Sequence, residues 1–302
     1  MKKIIYSLLL VFLFSSCDNL QTVIEVDLPE HEPKLVVNSS NRVGEKWKAY
    51  VSVSQSPLSN ADFVFLSDAT VLLMDGDIVV DTMTYKESKY YYKSDAIVQQ
   101  GTDFKIRVSH PMYEAVSADL YPFEKVEIKS VEDFQRVTNN NSSLSFTIDD
   151  PQSANYYMIN IKGYFSADGI PDSSNEDEDY FEDYENIPFD SDDPSVSQGR
   201  YSREKVLFDD KLFNGTTKEI NLLIADYILE KADSILLNFW SLDYAFYQYH
   251  TTRIIQSNTG NNPIFSSEPV NVYNSFLDEN GAINGYGIFA VSVLDSVIIQ
   301  TE

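Results

Sequence analysis

The stretch "ATVLLMDGDIVVDTM", residues 69–83, reads as two β-strands folded about Asp75-Gly76. An Asp-Gly pair readily takes the positive backbone angles of a tight hairpin turn, and the apolar runs on either side have strand length. Working outward, "WKAYVSVSQ" (47–55) places Trp47, Ala49, Val51 and Val53 on one face, and "DFKIRVS" (103–109) does the same with Phe104, Ile106 and Val108. Side chains alternate across a strand, so such spacing marks one buried and one solvated face. Nothing between residues 34 and 120 has helical periodicity. The expectation is an N-terminal β-sandwich over 34–122, immunoglobulin-like or transthyretin-like, with Pro122 as its boundary.

The pattern restarts past residue 123. "SLSFTID" (143–149) aligns Leu144, Phe146 and Ile148, and "YYMINIKG" (156–163) aligns Tyr157, Ile159 and Ile161. "KEINLLI" and "ADSILLNFW" supply a third pair. One helix is expected near 241–257, with Ser241 as N-cap and Leu242, Ala245, Phe246 and Tyr249 recurring at three- and four-residue steps. "YGIFAVSV" (286–293) then returns to strand. Residues 123–302 therefore read as a second β-rich domain, interrupted by an acidic loop at 166–199. The fold class is mainly β: two β-sandwich-like domains, the second with one packed α-helix. A chain of 302 residues also exceeds what one ordinary core holds, at about 150 residues per domain.

Composition narrows the class of partner. Apolar residues make up 43% of the chain and aromatic residues 13%, enough to build real cores. The formal net charge is −25. A surface that negative repels nucleic-acid phosphates and anionic headgroups, which argues against DNA, RNA and polybasic membrane docking. From Lys162 to Arg200 no basic residue intervenes, and the acids from Asp168 to Asp193 crowd one segment whose self-repulsion favours a mobile loop.

The chain opens with Met1-Lys2-Lys3, an apolar run from Ile4 to Phe14, and then Ser15-Ser16 before Cys17. That is a charged region, a hydrophobic region and a processing site, so residues 1–16 read as a signal peptide. The run spans roughly 17 Å as a helix, short of the roughly 30 Å hydrocarbon core. A cysteine directly after small residues resembles a bacterial lipobox. The resemblance implies cleavage before Cys17, diacylation of its sulfur and acylation of its new amino group by palmitate-type chains, leaving 17–33 as a lipidated leader. Two or three acyl chains anchor a protein stably where one does not. An ordinary secretory signal ending near a cysteine is the alternative, and Asp18 leaves the choice of membrane open. Cys17 is the only cysteine, so no internal disulfide and no cysteine-based metal site is available.

Motifs for chemistry are sparse. "DGIPD" (168–172) is similar to the second half of a thrombospondin type 3 calcium loop, but Tyr164 and Ser166 stand where the earlier carboxylates belong, so no metal site is expected. "GYGIFA" fits G-x-G-x-x-A through Gly285, Gly287 and Ala290, yet no βαβ unit can follow it so near Glu302. A tight turn or close backbone approach explains those glycines better. His31, His110 and His250 stand in no catalytic motif, and neither H-E-x-x-H nor G-x-S-x-G occurs. Tyr90, Tyr91 and Tyr92 offer rings for stacking on sugars or lining an interface, although strands favour tyrosine in any case. Neither a catalytic set nor a cofactor is expected.

Four segments carry a family resemblance: "FDDKLFNG" (208–215), "LDYAFYQYHTT" (242–252), "SSEPVNVYNS" (266–275) and "INGYGIFAVSV" (283–293). With "KLVVNSS" (34–40), "ATVLLMDGD" and "GTDFKIRVSHPMYEAVSA" (101–118), they resemble the lipoprotein family called domain of unknown function 4249. Its glutamate-proline pair and glycine-glycine-phenylalanine run are matched by Glu268-Pro269 and by Gly285, Gly287 and Phe289. "FLDENGA" (276–282) departs from it as an insertion that implies a longer loop. The resemblance implies an outer-membrane lipoprotein, on the cell surface or the periplasmic face, whose partner is a TonB-dependent β-barrel receptor, with no catalytic residue to carry over. The expected function is thus a non-catalytic accessory or substrate-capture subunit of a TonB-dependent transporter. An independent surface binder of glycan or peptide is the alternative, and a carboxylate-based hydrolase a third.

Overall fold

A computed structural model describes residues 31–302 apart from 57, 101–102, 139, 166–183, 198, 203, 261–269, 279 and 302. Cys17, the "DGIPD" segment and Glu268-Pro269 lie outside the described residues.

The 69–83 hairpin forms β3 (Thr70–Asp75) and β4 (Ile78–Thr82). Asp75 pairs with Ile78, so the turn residues are Gly76-Asp77, one position later than the sequence suggested. Gly76 has φ +55° and no other residue of the turn is positive, the φ pattern of a type II′ hairpin, which needs glycine first. β3 and β4 continue through β7 (Phe104–His110) and β8 (Tyr113–Asp119) in the order β4-β3-β7-β8. Facing this sheet are β1 (Leu35–Arg42), β2 (Lys46–Val53), β5 (Thr84–Lys86) and β6 (Tyr91–Ile97). The faces expected from alternation close the core: Trp47, Ala49 and Val51 meet Phe104, Ile106 and Val108, and every one of them is buried. The Trp47 ring meets the edge of Phe104 at 5.1 Å and stacks on Phe289 at 5.4 Å.

A second sandwich follows the same logic. One sheet holds β9 (Ile128–Val131), β10 (Gln135–Arg136), β11 (Asn141–Asp149) and β16 (Thr217–Ala225). The other holds β12 (Tyr156–Tyr164), β13 (Glu185–Ile187), β14 (Arg200–Ser202), β15 (Lys205–Asp209) and β17 (Ser234–Leu242). Leu144, Phe146 and Ile148 pack against Tyr157, Ile159 and Ile161, with Ile235, Leu237 and Phe239 from β17. The segment 184–199, read as part of an acidic loop, is drawn onto this core by Tyr184, Ile187 and Val196, all buried. Asp193 there caps the Ser195 N–H at 2.9 Å and pairs with Lys218. Burial alone would raise its carboxyl, but the Lys218 and Ser195 bonds outweigh that and hold it below the ordinary range.

The two sandwiches share β18 (Tyr286–Gln300). Its first half runs parallel to β1, from Val36 opposite Tyr286 to Arg42 opposite Ser292, and its second half runs antiparallel to β17. A ten-stranded sheet therefore crosses the whole unit. Close approach at Gly287 permits the parallel join: φ is +114°, and a Cβ there would lie 2.0 Å from the Val37 carbonyl oxygen. This is the role expected of the "GYGIFA" glycines.

The helix spans Tyr244–Gly260 and lies on the face of the large sheet opposite the second core, covering Met158, Leu207, Ile288 and Ala290 through Ala245 and Phe246. Its N-cap is Asp243, not Ser241, which belongs to β17. Asp243 accepts the Phe246 N–H at 2.7 Å, the N3 position of a capped helix. The Ser241 hydroxyl instead receives the Val126 N–H at 2.9 Å, fastening the link between the sandwiches.

Candidate binding site

Tyrosines from four separate parts of the chain converge where the two sandwiches and the helix N-terminus meet. Tyr244 and Tyr247 lie one helical turn apart and so share a face. Tyr156 begins β12, Tyr121 follows β8, and Tyr273 precedes the inserted loop. Tyr247 stacks on Tyr156 at 4.7 Å, and Tyr156 meets Tyr244 edge-on at 5.6 Å. Tyr244 in turn meets Tyr121 at 5.2 Å and Tyr273 at 5.9 Å. The result is a continuous ladder of five rings, in the offset and edge-to-face geometries aromatic pairs prefer.

Open cavities flank both ends of the ladder. One, of about 390 Å³, is lined by Tyr247, Gln248, Phe208, Asp209 and Lys211. The other, of about 510 Å³, is lined by Tyr121, Tyr273, Asn274, Asp119 and Asp278. Aromatic walls with a few directed polar groups are the common make-up of small-ligand sites.

The ladder is held from beneath. Asp243, fully buried, accepts the Phe246 N–H and, through its other oxygen, the Val291 N–H at 2.9 Å, tying the helix start to β18. Burial pushes its carboxyl up to about 7, against the pull of those two backbone bonds. Thr252 accepts the Tyr273 N–H at 2.8 Å. Burial raises the Tyr273 phenol, helped by its hydrogen bond to Tyr121, and burial also raises Tyr156. These phenols stay protonated, and the Tyr273 hydroxyl donates to the Tyr121 hydroxyl at 3.4 Å.

The residues singled out in sequence fall elsewhere. Of Tyr90, Tyr91 and Tyr92, only Tyr90 is exposed. The Tyr92 hydroxyl accepts the Ala69 N–H and donates to the Leu66 carbonyl, a core role. His110 bonds Asp68 at 3.1 Å, and His250, half-buried against Phe246, is pushed down to about 3 by desolvation and by Lys205 and Arg253. Among the described residues no group of three or more His, Cys, Asp or Glu is placed to hold a metal ion. Two neighbouring carboxylates, Asp150 and Asp210, are both raised chiefly by burial, Asp150 also by Glu124 and Asp210 also by Asp150. Asp150 accepts the Tyr157 hydroxyl and the Gly215 N–H, while Asp210 accepts the Asn155 N–H at 2.8 Å. Each has an oxygen committed to fixing a turn. None of the five ladder tyrosines stood out by composition; the one available signal was Tyr244 and Tyr247 at helical spacing in "YAFYQY".

The family model for a domain of unknown function, DUF4249, matches residues 21–296. The chain belongs to that family. In this DUF4249 chain the matched span takes in both sandwiches, the helix and the complete tyrosine ladder. Among solved structures, a Corynebacterium diphtheriae protein provisionally named as membrane anchored aligns at 9% identity with a TM-score of 0.19, over 86% of this chain. The chain spans 58% of that protein's length. No curated protein matches. No helix among the described residues is long and apolar enough to cross a membrane.

Proposed function

We propose that this DUF4249 chain is a non-catalytic lipoprotein, held on the outer membrane through acyl chains on Cys17, that captures a ligand on its tyrosine ladder as an accessory subunit of a TonB-dependent transporter. The observation that carries the binding role is the ladder itself: five rings joined by one stacked and three edge-to-face contacts between two open cavities. Ring faces suit sugar rings or peptide side chains, and the flanking Gln248 and the paired Lys211 and Asp209 suit hydroxyls and amides. The sequence carries the anchor, and the family resemblance carries the transporter partner. Action as an independent binder of glycan or peptide is the second reading, favoured by the same ladder and needing no barrel.

Glycan and peptide arrays probed with the wild-type chain and with Tyr247→Ala and Tyr121→Ala variants test the binding role. Both rings lie partly exposed at opposite ends of the ladder, so truncation spares the cores. Binding that drops about fivefold to 150-fold in either variant is expected, taking about 1–3 kcal/mol for one stacked ring. Array hits that both variants retain at full strength would remove the ladder from the account.

A further inference from the structure

The outer face of the first sandwich departs from the charge of the rest of the chain. Strand pairing sets Lys48 of β2 opposite Lys93 of β6, and Lys86 of β5 opposite Tyr91. Alternation puts Tyr50 beside Lys48 and Tyr91 beside Lys93, so these side chains share one face, away from the core that holds Trp47, Ala49 and Tyr92. Like charges directly opposite one another cost stability in a sheet, so nothing in folding favours the Lys48 and Lys93 pair. Lys46 is matched by Asp95, whose charge also reaches Lys86 and Lys93 at longer range, while Lys48 and Lys89 make no ion pair among the described residues. Glu87 and Asp62 are the nearby acids in sequence without a salt bridge. A local excess of positive charge thus stands on a chain of net charge −25.

Aromatic and apolar side chains project beside these lysines. Phe65 stacks on Tyr90 at 5.8 Å and meets Tyr50 at 6.0 Å and Phe63 at 4.9 Å. Phe63, Val64 and Tyr90 are 58%, 61% and 58% exposed, and Leu58 on the same loop is 73% exposed. Tyr90 has φ +57°, the only non-glycine residue among those described with a positive value. A bulky residue holds that conformation only where its surroundings enforce it. Here it turns the ring outward onto Phe65.

The position on the chain completes the picture. The loop carrying Phe63 and Phe65 is anchored to β2 through Ser52 and Val51, and the Ser54 N–H donates to the Lys34 carbonyl while the Ser54 hydroxyl accepts the Lys34 N–H, where the polypeptide enters β1. The patch therefore lies at the entry of the leader from Cys17. Seventeen residues reach at most about 60 Å, so an acylated Cys17 keeps the folded body, this face included, within reach of the membrane surface. Tethering of that kind supplies millimolar effective concentrations, enough for weak contacts to persist.

We infer that the lysine-rich aromatic face formed by Lys48, Lys86, Lys89 and Lys93 with Phe63 and Tyr90 docks on the anionic lipid surface to which the chain is anchored. The lysines lie against headgroup phosphates while Phe63, Val64 and Leu58 enter the boundary with the acyl chains, where amphipathic rings partition. The chain's overall charge argues against membrane docking in general and so orients it: this face turns to the lipid and the acidic remainder turns away. Docking rests on the anchoring proposed above, and the experiment separates the two.

Cys17 is the only cysteine, so acylation leaves the lipoprotein blank to thiol labels. Phe63→Cys and Ile78→Cys chains, carrying an environment-sensitive fluorophore, would be reconstituted in phosphatidylcholine vesicles with and without about one-third phosphatidylglycerol. Ile78 is 74% exposed on the opposite sheet. Quenching by brominated lipid at position 63 but not 78, dependent on the anionic lipid and weakened roughly fivefold by each Lys→Glu reversal at 48, 86, 89 or 93, is expected. Equal exposure of both labels to water would overturn the inference, as would a position-63 shift that follows protein concentration without vesicles, which signals a second copy instead. Labelling of the wild-type chain at Cys17 would overturn the anchor alone; docking is then read by co-sedimentation of the Cys17→Ser chain with anionic vesicles, and failure to sediment overturns it.

Discussion

Replacing Gly287 with alanine should break the join between the sandwiches, and Gly76→Ala provides an internal reference for the size of the effect. Both glycines have positive φ, +114° and +55°. At Gly76 an added Cβ meets nothing within 4 Å, so only left-handed strain is introduced, about 1–2 kcal/mol. At Gly287 the Cβ lies 2.0 Å from the Val37 oxygen and 2.7 Å from its carbonyl carbon, both backbone atoms with no rotamer to yield. Relief requires β1 and β18 to part by roughly 1 Å or more, which breaks two or three buried hydrogen bonds at about 1–3 kcal/mol each. With backbone strain added, the total is about 4–8 kcal/mol, comparable to the whole stability of many domains. Thermal unfolding followed by circular dichroism reads this directly. At about 2–4 °C per kcal/mol for a chain of this size, Gly76→Ala should lower Tm by a few degrees and Gly287→Ala by roughly 10–25 °C, or abolish soluble expression. Equal shifts for the two variants, or a Gly287→Ala protein melting within about 3 °C of wild type, would refute the close parallel approach.

Asp243→Asn should change how stability depends on pH. The wild-type carboxyl is lifted from 3.8 to about 7, so between those values the folded state holds a proton the unfolded state has lost, and this group's contribution falls as pH rises. The free-energy gap between wild type and Asp243→Asn should therefore drift by about 3 kcal/mol from pH 5 to pH 8 in urea titrations, and parallel curves would contradict it. Phe276→Ala should cost about 3–5 kcal/mol, because this residue of the inserted segment is fully buried with Trp47 and Phe289 in the first core. A loss below about 1 kcal/mol would make the insertion a surface loop. Cys17→Ser should abolish incorporation of radiolabelled palmitate; undiminished labelling would place the acyl chain elsewhere.

Strand faces were legible because alternation is a local property. Trp47, Phe104, Leu144, Tyr157 and their neighbours at steps of two lie inward, except Val53 at the end of β2, which is only half-buried. The hairpin was legible to within one residue, since Gly76 alone permits the turn. The β1 and β18 pairing was not, because contact between residues 36 and 286 leaves no periodic trace; its only sequence mark was Gly285 and Gly287. Ser241 and Asp243 are equally good caps in sequence, since serine and aspartate both cap helices, and only the end of β17 at Leu242 decides between them. The tyrosine triplet at 90–92 drew notice as a run, although alternation turned Tyr92 inward. The ladder went unseen because Tyr121, Tyr156, Tyr244 and Tyr273 meet only in three dimensions.

The central claim is that the chain serves a membrane transporter from a lipid anchor. An affinity tag placed after Glu302, solubilisation of native membranes in mild detergent and mass spectrometry of what co-purifies test it most directly. The account predicts a TonB-dependent β-barrel receptor in stoichiometric amount. Recovery of the lipoprotein alone, from membranes in which such a receptor is abundant, would contradict the transporter role.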